Sequence, residues 1–228
     1  MKKISLFFAL SMPLLAQAES PYQIDESPKS FYGITESINN MRLSQASNDN
    51  FLFFGDSIVQ ALKQNKLHVN YVNMGIAGDT VHGVMKQIRE TPIGKFNGIL
   101  VSVGANNLLQ GQNGKDLGDE IGAIIDYAAP RTKQLYVMET FVPNRLKYPF
   151  ISPDFDAANR IIYKTCSQYK NCQVIPLPKG MIGKDGIDLK YTIADGVHPN
   201  ALGFTLWKRE INKKMANFPY NLYYRARY

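Results

Sequence analysis

"FFGDSIVQ" (residues 53–60) decides how this chain is read. A hydrophobic run that ends in Gly-Asp-Ser and continues as Ile-Val-Gln is a strand passing straight into a helix, with Gly55 permitting a tight exit. The same transition recurs downstream. Runs rich in β-branched and aromatic residues occupy residues 50–55, 69–75, 98–104, 134–140 and 172–177. Apolar residues at helical spacing mark residues 57–66, 80–90, 117–129, 154–169 and 200–216. Strand then helix, repeated along the chain, predicts α/β architecture: a five-stranded parallel sheet covered on both faces. Right-handed crossovers limit the topology to a three-layer α/β/α sandwich of flavodoxin-like type.

Outward from this core, residues 50–216 read as one domain, and 228 residues with 45% hydrophobic composition can bury a proper core. Residues 19–49 read as a polar lead followed by an edge helix. Residues 1–18 have the form of an export signal: Lys2 and Lys3, a short apolar run, and Ala16-Gln17-Ala18 as a small-x-small cleavage pattern. The expectation is a bacterial periplasmic or secreted protein, cleaved near Ala18. The tail, residues 217–228, combines aromatics with Arg225 and Arg227. It reads either as a segment packed on its own domain or as an attachment to anionic surfaces. A formal charge of +7 favours peripheral contact with an anionic envelope surface. Nucleic acid is a poor partner for an exported chain without a clustered basic stripe. Nothing in the sequence sets an oligomeric state.

The two cysteines, Cys166 and Cys172, lie six positions apart. In an oxidising compartment a local disulfide is expected; unlinked thiols are the alternative, and a metal site is disfavoured because no histidine accompanies them.

In open parallel sheets, ligands bind beyond the carboxyl ends of the strands. The residues there are "GDS", "MGIAGDT", "GANN" and "ETFVPN". Ser57 falls at the start of a helix, where it reads either as an N-cap or as a nucleophile beside unpaired amides. A serine nucleophile needs a base and a group to orient that base. Of three histidines, His68 and His82 read as surface or packing residues. His198 follows Asp195 by three positions in "ADGVHPN", so the carboxylate can reach the ring nitrogen that does not face the serine. The competing reading is ordinary helix-start chemistry. Gly78 can present a backbone N–H without obstruction, and Asn106 can add a side-chain amide. Separately these two read as a loop glycine and a turn residue.

Taken in order, these blocks resemble the SGNH or GDSL hydrolases. Gly55-Asp56-Ser57 matches the first block, Gly78 the glycine block, Gly104-Ala105-Asn106 the asparagine block, and Asp195-Gly196-Val197-His198 the last. The resemblance implies metal-free, cofactor-free ester hydrolysis on a three-layer fold. It implies Ser57 as nucleophile, His198 as general base and then acid, and Asp195 as its orienter. It also implies an oxyanion hole from Ser57, Gly78 and Asn106. One departure stands out: Asn107 follows Asn106, where the family usually has aspartate. Val59 stands where the α/β-hydrolase elbow requires glycine, which argues against that larger esterase fold.

The "NMGIAGDT" block is more similar to those of acetylhydrolases and carbohydrate acetylesterases of the family than to lipid-specific members. The expected substrate is therefore a small ester or an O-acylated glycan. The alternatives are a lysophospholipase or thioesterase using residues 141–153 as an apolar wall, a glycan O-acyltransferase, and a non-catalytic binding module.

Overall fold

The computed structural model describes residues 25–216; residues 1–18, expected as an export leader, and the aromatic, basic tail lie outside the described residues. Five strands form one parallel sheet: β1 (Phe51–Gly55), β2 (Tyr71–Asn73), β3 (Gly98–Ser102), β4 (Leu135–Met138) and β5 (Cys172–Ile175). Their spatial order is β2-β1-β3-β4-β5. The helices are α1 (Phe31–Ser44), α2 (Ser57–Gln60), α3 (Val81–Glu90), α4 (Ala105–Leu109), α5 (Gly114–Ala128), α6 (Asp156–Cys166) and α7 (Ala201–Met215). A small antiparallel pair, β6 (Ile182–Gly183) and β7 (Gly186–Ile187), stands apart from the sheet.

Strand side chains alternate between faces, and the core divides accordingly. Leu52, Phe54, Ile99, Val101, Leu135 and Val137 pack with residues of α3, α5 and α6 on one side. Phe51, Phe53, Leu100, Tyr136 and Met138 pack with Ile58 and Val59 of α2 and Trp207, Ile211 and Met215 of α7 on the other. Every residue of β1, β3 and β4 is buried, which is why these strands read as unbroken apolar runs. Each large apolar side chain so buried stabilises the fold by roughly 1.5–3 kcal/mol. Along α5, Gly114 and Gly118 let α6 and the chain leading into it approach closely. A β-carbon at Gly118 would lie 2.9 Å from the Ala158 backbone.

The alternation of strands and helices is as the sequence implies, but three elements differ. The helix expected over residues 57–66 ends at Gln60. The side-chain amide of Asn73, on the neighbouring strand, donates to the carbonyls of Val59, Gln60 and Leu62 (2.7, 3.3 and 3.2 Å). Gly75 packs on the backbone of Gln60, and Lys66 adopts a positive φ of 65°. A partner distant in sequence has therefore taken the carbonyls that would have continued the helix. The five-residue α4 and the β6–β7 pair are too short to carry a periodic signal. Cys166 at the end of α6 is disulfide-bonded to Cys172 at the start of β5, with their Cα atoms 5.3 Å apart. Among the described residues, no helix is long and apolar enough to cross a membrane.

Candidate active site

The chain enters the sheet at β1, crosses to the edge strand β2, and returns to β3 on the opposite side of β1. The connections after β1 and β3 therefore diverge and leave a crevice at the carboxyl ends, the topological switch point of an open parallel sheet. Ser57 follows β1 and Asn106 follows β3, so both lie at this crevice.

Asp56, not Ser57, is the N-cap of α2: its buried carboxylate accepts from the Ile58 amide at 2.9 Å. The serine is thereby released from capping, and its Oγ lies 2.7 Å from His198 Nε2. His198 Nδ1 in turn lies 2.6 Å from Asp195 Oδ2. Partial burial pushes the Asp195 carboxyl up, but the His198 ring and the amides of Val197 and His198 outweigh it and hold the pKa below the usual carboxylate value. An ionised carboxylate only accepts, so Nδ1 carries a proton and Nε2 is left to accept the Ser57 hydroxyl hydrogen.

His198 is placed by the helix that follows it. Asn200 caps α7, its Oδ1 accepting from Leu202 and Gly203 N–H (both 3.0 Å) while its amide donates to Lys190 and Thr192 carbonyls (2.8 and 3.0 Å). The fully buried Trp207, edge-on to Phe141 at 5.3 Å, docks α7 against the sheet. His68 and His82 are exposed and take no part in this arrangement.

The loop after β2 is tied to its neighbours at several points. Ile76 N–H donates to Gly55 O (3.0 Å) and Ala77 N–H to Gln60 Oε1 (2.9 Å), joining it to the serine segment. Asn106 Nδ2 donates to Asp79 O (2.8 Å), joining it to α4. One of the two amide hydrogens of Asn106 remains for a ligand. Gly78 is exposed, with φ 84°, a conformation in which a side chain would be strained. The Ser57 N–H lies in the first turn of α2, where amides have no intrahelical acceptor.

Two further residues shape this site: Asp79, which the sequence reading did not single out, and Asn107, which it marked only as a departure from the family pattern. Asp79 is fully buried, its carboxylate accepting from Thr80 N–H (2.9 Å) and the Gln87 amide (2.8 Å). Burial pushes its pKa up to about 7 despite those bonds, and the nearby Asp56 charge adds to the rise. Asp56 is itself raised to about 6 by burial, against the Ile58 amide and the proximity of His198. Asn107 is buried, accepting from Val81 N–H (3.1 Å) and donating to Gln112 Oε1 (2.8 Å). An amide at this position holds the start of α3 without adding another carboxyl beside Asp79. Asn107 stands out in the sequence only as that departure, and nothing in the sequence marks Asp79 as buried. Among the described residues, no cluster of three or more His, Cys, Asp or Glu side chains is arranged to hold a metal ion.

The family model of GDSL-like lipases and acylhydrolases matches residues 53–206, and the chain belongs to that family. Among solved structures, a GDSL-like lipase from Bacteroides thetaiotaomicron is 16% identical, with a TM-score of 0.62 over 79% of this chain and 97% of that one. A lipase/acylhydrolase from Enterococcus faecalis is 18% identical, with a TM-score of 0.60 over 73% and 95%. An acetylxylan esterase from Geobacillus stearothermophilus, in the form of a catalytic mutant, is 16% identical, with a TM-score of 0.59 over 75% and 95%. At these identities the likeness is one of fold. Comparison with curated proteins gave no match.

Proposed function

We propose that this protein is an exported serine esterase that removes acetyl or other short acyl groups from a carbohydrate, using Ser57, His198 and Asp195. The observation that carries the reading is the continuous row from Ser57 Oγ through the imidazole to Asp195, with separations of 2.7 and 2.6 Å. Ser57 Oγ attacks the ester carbonyl as His198 Nε2 takes its proton, and Asp195 stabilises the imidazolium that results. The Ser57 and Gly78 amides and Asn106 Nδ2 accommodate the charge that develops on the carbonyl oxygen. His198 then protonates the departing alcohol. Water, activated by the same imidazole, cleaves the acyl-enzyme to carboxylate and restores the serine.

Support for a carbohydrate ester comes from the shared fold of the Geobacillus acetylxylan esterase and from the "NMGIAGDT" loop. Support for export comes from the form of residues 1–18 and from a disulfide that suits an oxidising compartment. The apolar wall needed by a longer acyl chain is only partly available. Phe141, Val142 and Ile151 are buried in the core, leaving Leu146 and Phe150 exposed on that loop.

The test is Ser57→Ala, assayed on a small aryl acetate. Turnover is expected to fall at least about 10³-fold, and unchanged hydrolysis would remove Ser57 from the mechanism. A series of aryl esters from acetyl to octanoyl then tests the short-acyl assignment, since a preference for octanoyl would overturn it.

A further inference from the structure

Three consecutive carbonyls in the turn that bears Asp195 are each met by a donor from one short segment after β4. Ala194 O accepts from Lys147 Nζ at 2.6 Å, Asp195 O from Tyr148 Oη at 3.1 Å, and Gly196 O from the Asn144 main-chain N–H at 2.8 Å. The segment is closed on itself: the Asn144 carbonyl accepts from Lys147 and Tyr148 N–H, both at 3.0 Å, and its Oδ1 accepts from Leu146 N–H at 3.1 Å. Buried Asn144 also donates to Ile187 O at 2.8 Å, which ties the segment to β7. Gly196, with φ 75°, lies directly against it; a β-carbon there would come within 2.7 Å of Lys147 Cδ.

We propose that Asn144, Lys147 and Tyr148 form a positioning clamp that sets the height of the Asp195–His198 turn relative to Ser57. The inference rests on the reading of Ser57, His198 and Asp195 as the reacting set. The internal bonds of the turn, Ile193 N–H to His198 O (2.9 Å) and the Asp195 side chain to Val197 and His198 N–H (2.8 and 3.0 Å), fix its shape. They do not fix where that shape stands above the sheet, which docked α7 anchors from the His198 side and the clamp from the Ala194–Gly196 side. Ser57 is carried by β1 and the clamp by the connection leaving β4, so both halves of the site are referred to the same sheet. A misplacement of about 1 Å at a reacting pair costs on the order of 10²-fold in rate, which sets the scale of the clamp's effect. The clamp touches only main-chain carbonyls, so it acts on the reaction through the turn and not on the substrate.

The experiment is steady-state hydrolysis of an aryl acetate by Tyr148→Phe, Lys147→Met and the double variant, with Lys147→Arg as the conservative partner. Fluorophosphonate labelling of Ser57 and thermal unfolding are measured on each. The double variant is expected to lose about 10- to 100-fold in kcat with KM within about twofold. Labelling should reach full stoichiometry but proceed more slowly by the same factor. Lys147→Arg, which retains a donor for Ala194 O, is expected to recover most of the loss attributed to Lys147. The clamp is overturned if the double variant keeps kcat within twofold of the parent. It is also overturned if the loss appears in KM, or if Lys147→Arg is as slow as Lys147→Met. Where the double variant fails to fold, the single Tyr148→Phe, which removes one hydroxyl, decides on the same kcat and labelling criteria. Activity that survives Ser57→Ala would instead defeat the reading of the site, a result separate from any clamp variant.

Discussion

Replacing Asp79 by asparagine should stabilise the protein, and more so in alkali than in acid. Asp79 is completely buried, and its pKa is raised from 3.8 to about 7, chiefly by burial. A carboxyl whose pKa is higher folded than unfolded binds more protons in the folded state across that interval. Its stabilising contribution is therefore fully present below about pH 4 and is lost as the pH rises through about 7. At 1.36 kcal/mol per pH unit, the ionisable side chain costs about 2 kcal/mol at pH 5 and about 4 kcal/mol at pH 8 relative to a neutral one. Asparagine keeps an acceptor for Thr80 N–H, and the Gln87 amide can reverse to accept from the new Nδ2. The gain from Asp79→Asn should therefore grow by roughly 2–3 kcal/mol between pH 5 and pH 8. Urea unfolding followed by the fluorescence of Trp207, the single tryptophan, measures this directly. Turnover should persist, because Asn106 is held by the Asp79 main-chain carbonyl, which the substitution leaves in place. A gain of equal size at both pH values, or a loss at pH 8, would refute the argument that a buried ionisation is being relieved.

Asn106→Ala should lower kcat by about 10²–10³-fold with little change in KM, since the lost donor acts on charge that appears only in the transition state. Steady-state kinetics on the aryl acetate checks this, and a loss below tenfold would exclude the residue from the oxyanion site. Replacing Cys166 and Cys172 together by serine removes a bridge between residues six apart, worth about 2 kcal/mol by loop-closure entropy. The urea midpoint should drop accordingly while kcat holds, because the bridge joins the end of α6 to the start of β5, at the opposite end of that strand from the site.

The parallel sheet was readable because β1, β3 and β4 are buried on both faces and so announce themselves as uninterrupted apolar runs. Ser57, Asn106, Asp195 and His198 were readable because each sits in a short block whose spacing is local. What was hidden depends on contacts between distant segments. The early end of α2 is imposed by Asn73, and no residue within 57–66 signals it. Ser57 reads from the sequence as a candidate N-cap of α2, a place Asp56 takes, and the burial of Asp56 and Asp79 follows from the packing around them. Lys147 and Tyr148 lie in a loop without periodicity, and their partners are 47 residues further on.

Ser57 and His198 are separated by 141 residues in the chain. At about 5–20 residues per second, a ribosome takes roughly 10 s or more to deliver the imidazole after the hydroxyl has emerged. Throughout that interval the half-made polypeptide carries an unassisted alcohol, as inert as any other serine. Under the proposed mechanism, the serine gains its base only when α7 and the turn before it close over the sheet, so a product truncated before His198 would lack the proposed nucleophile's activation.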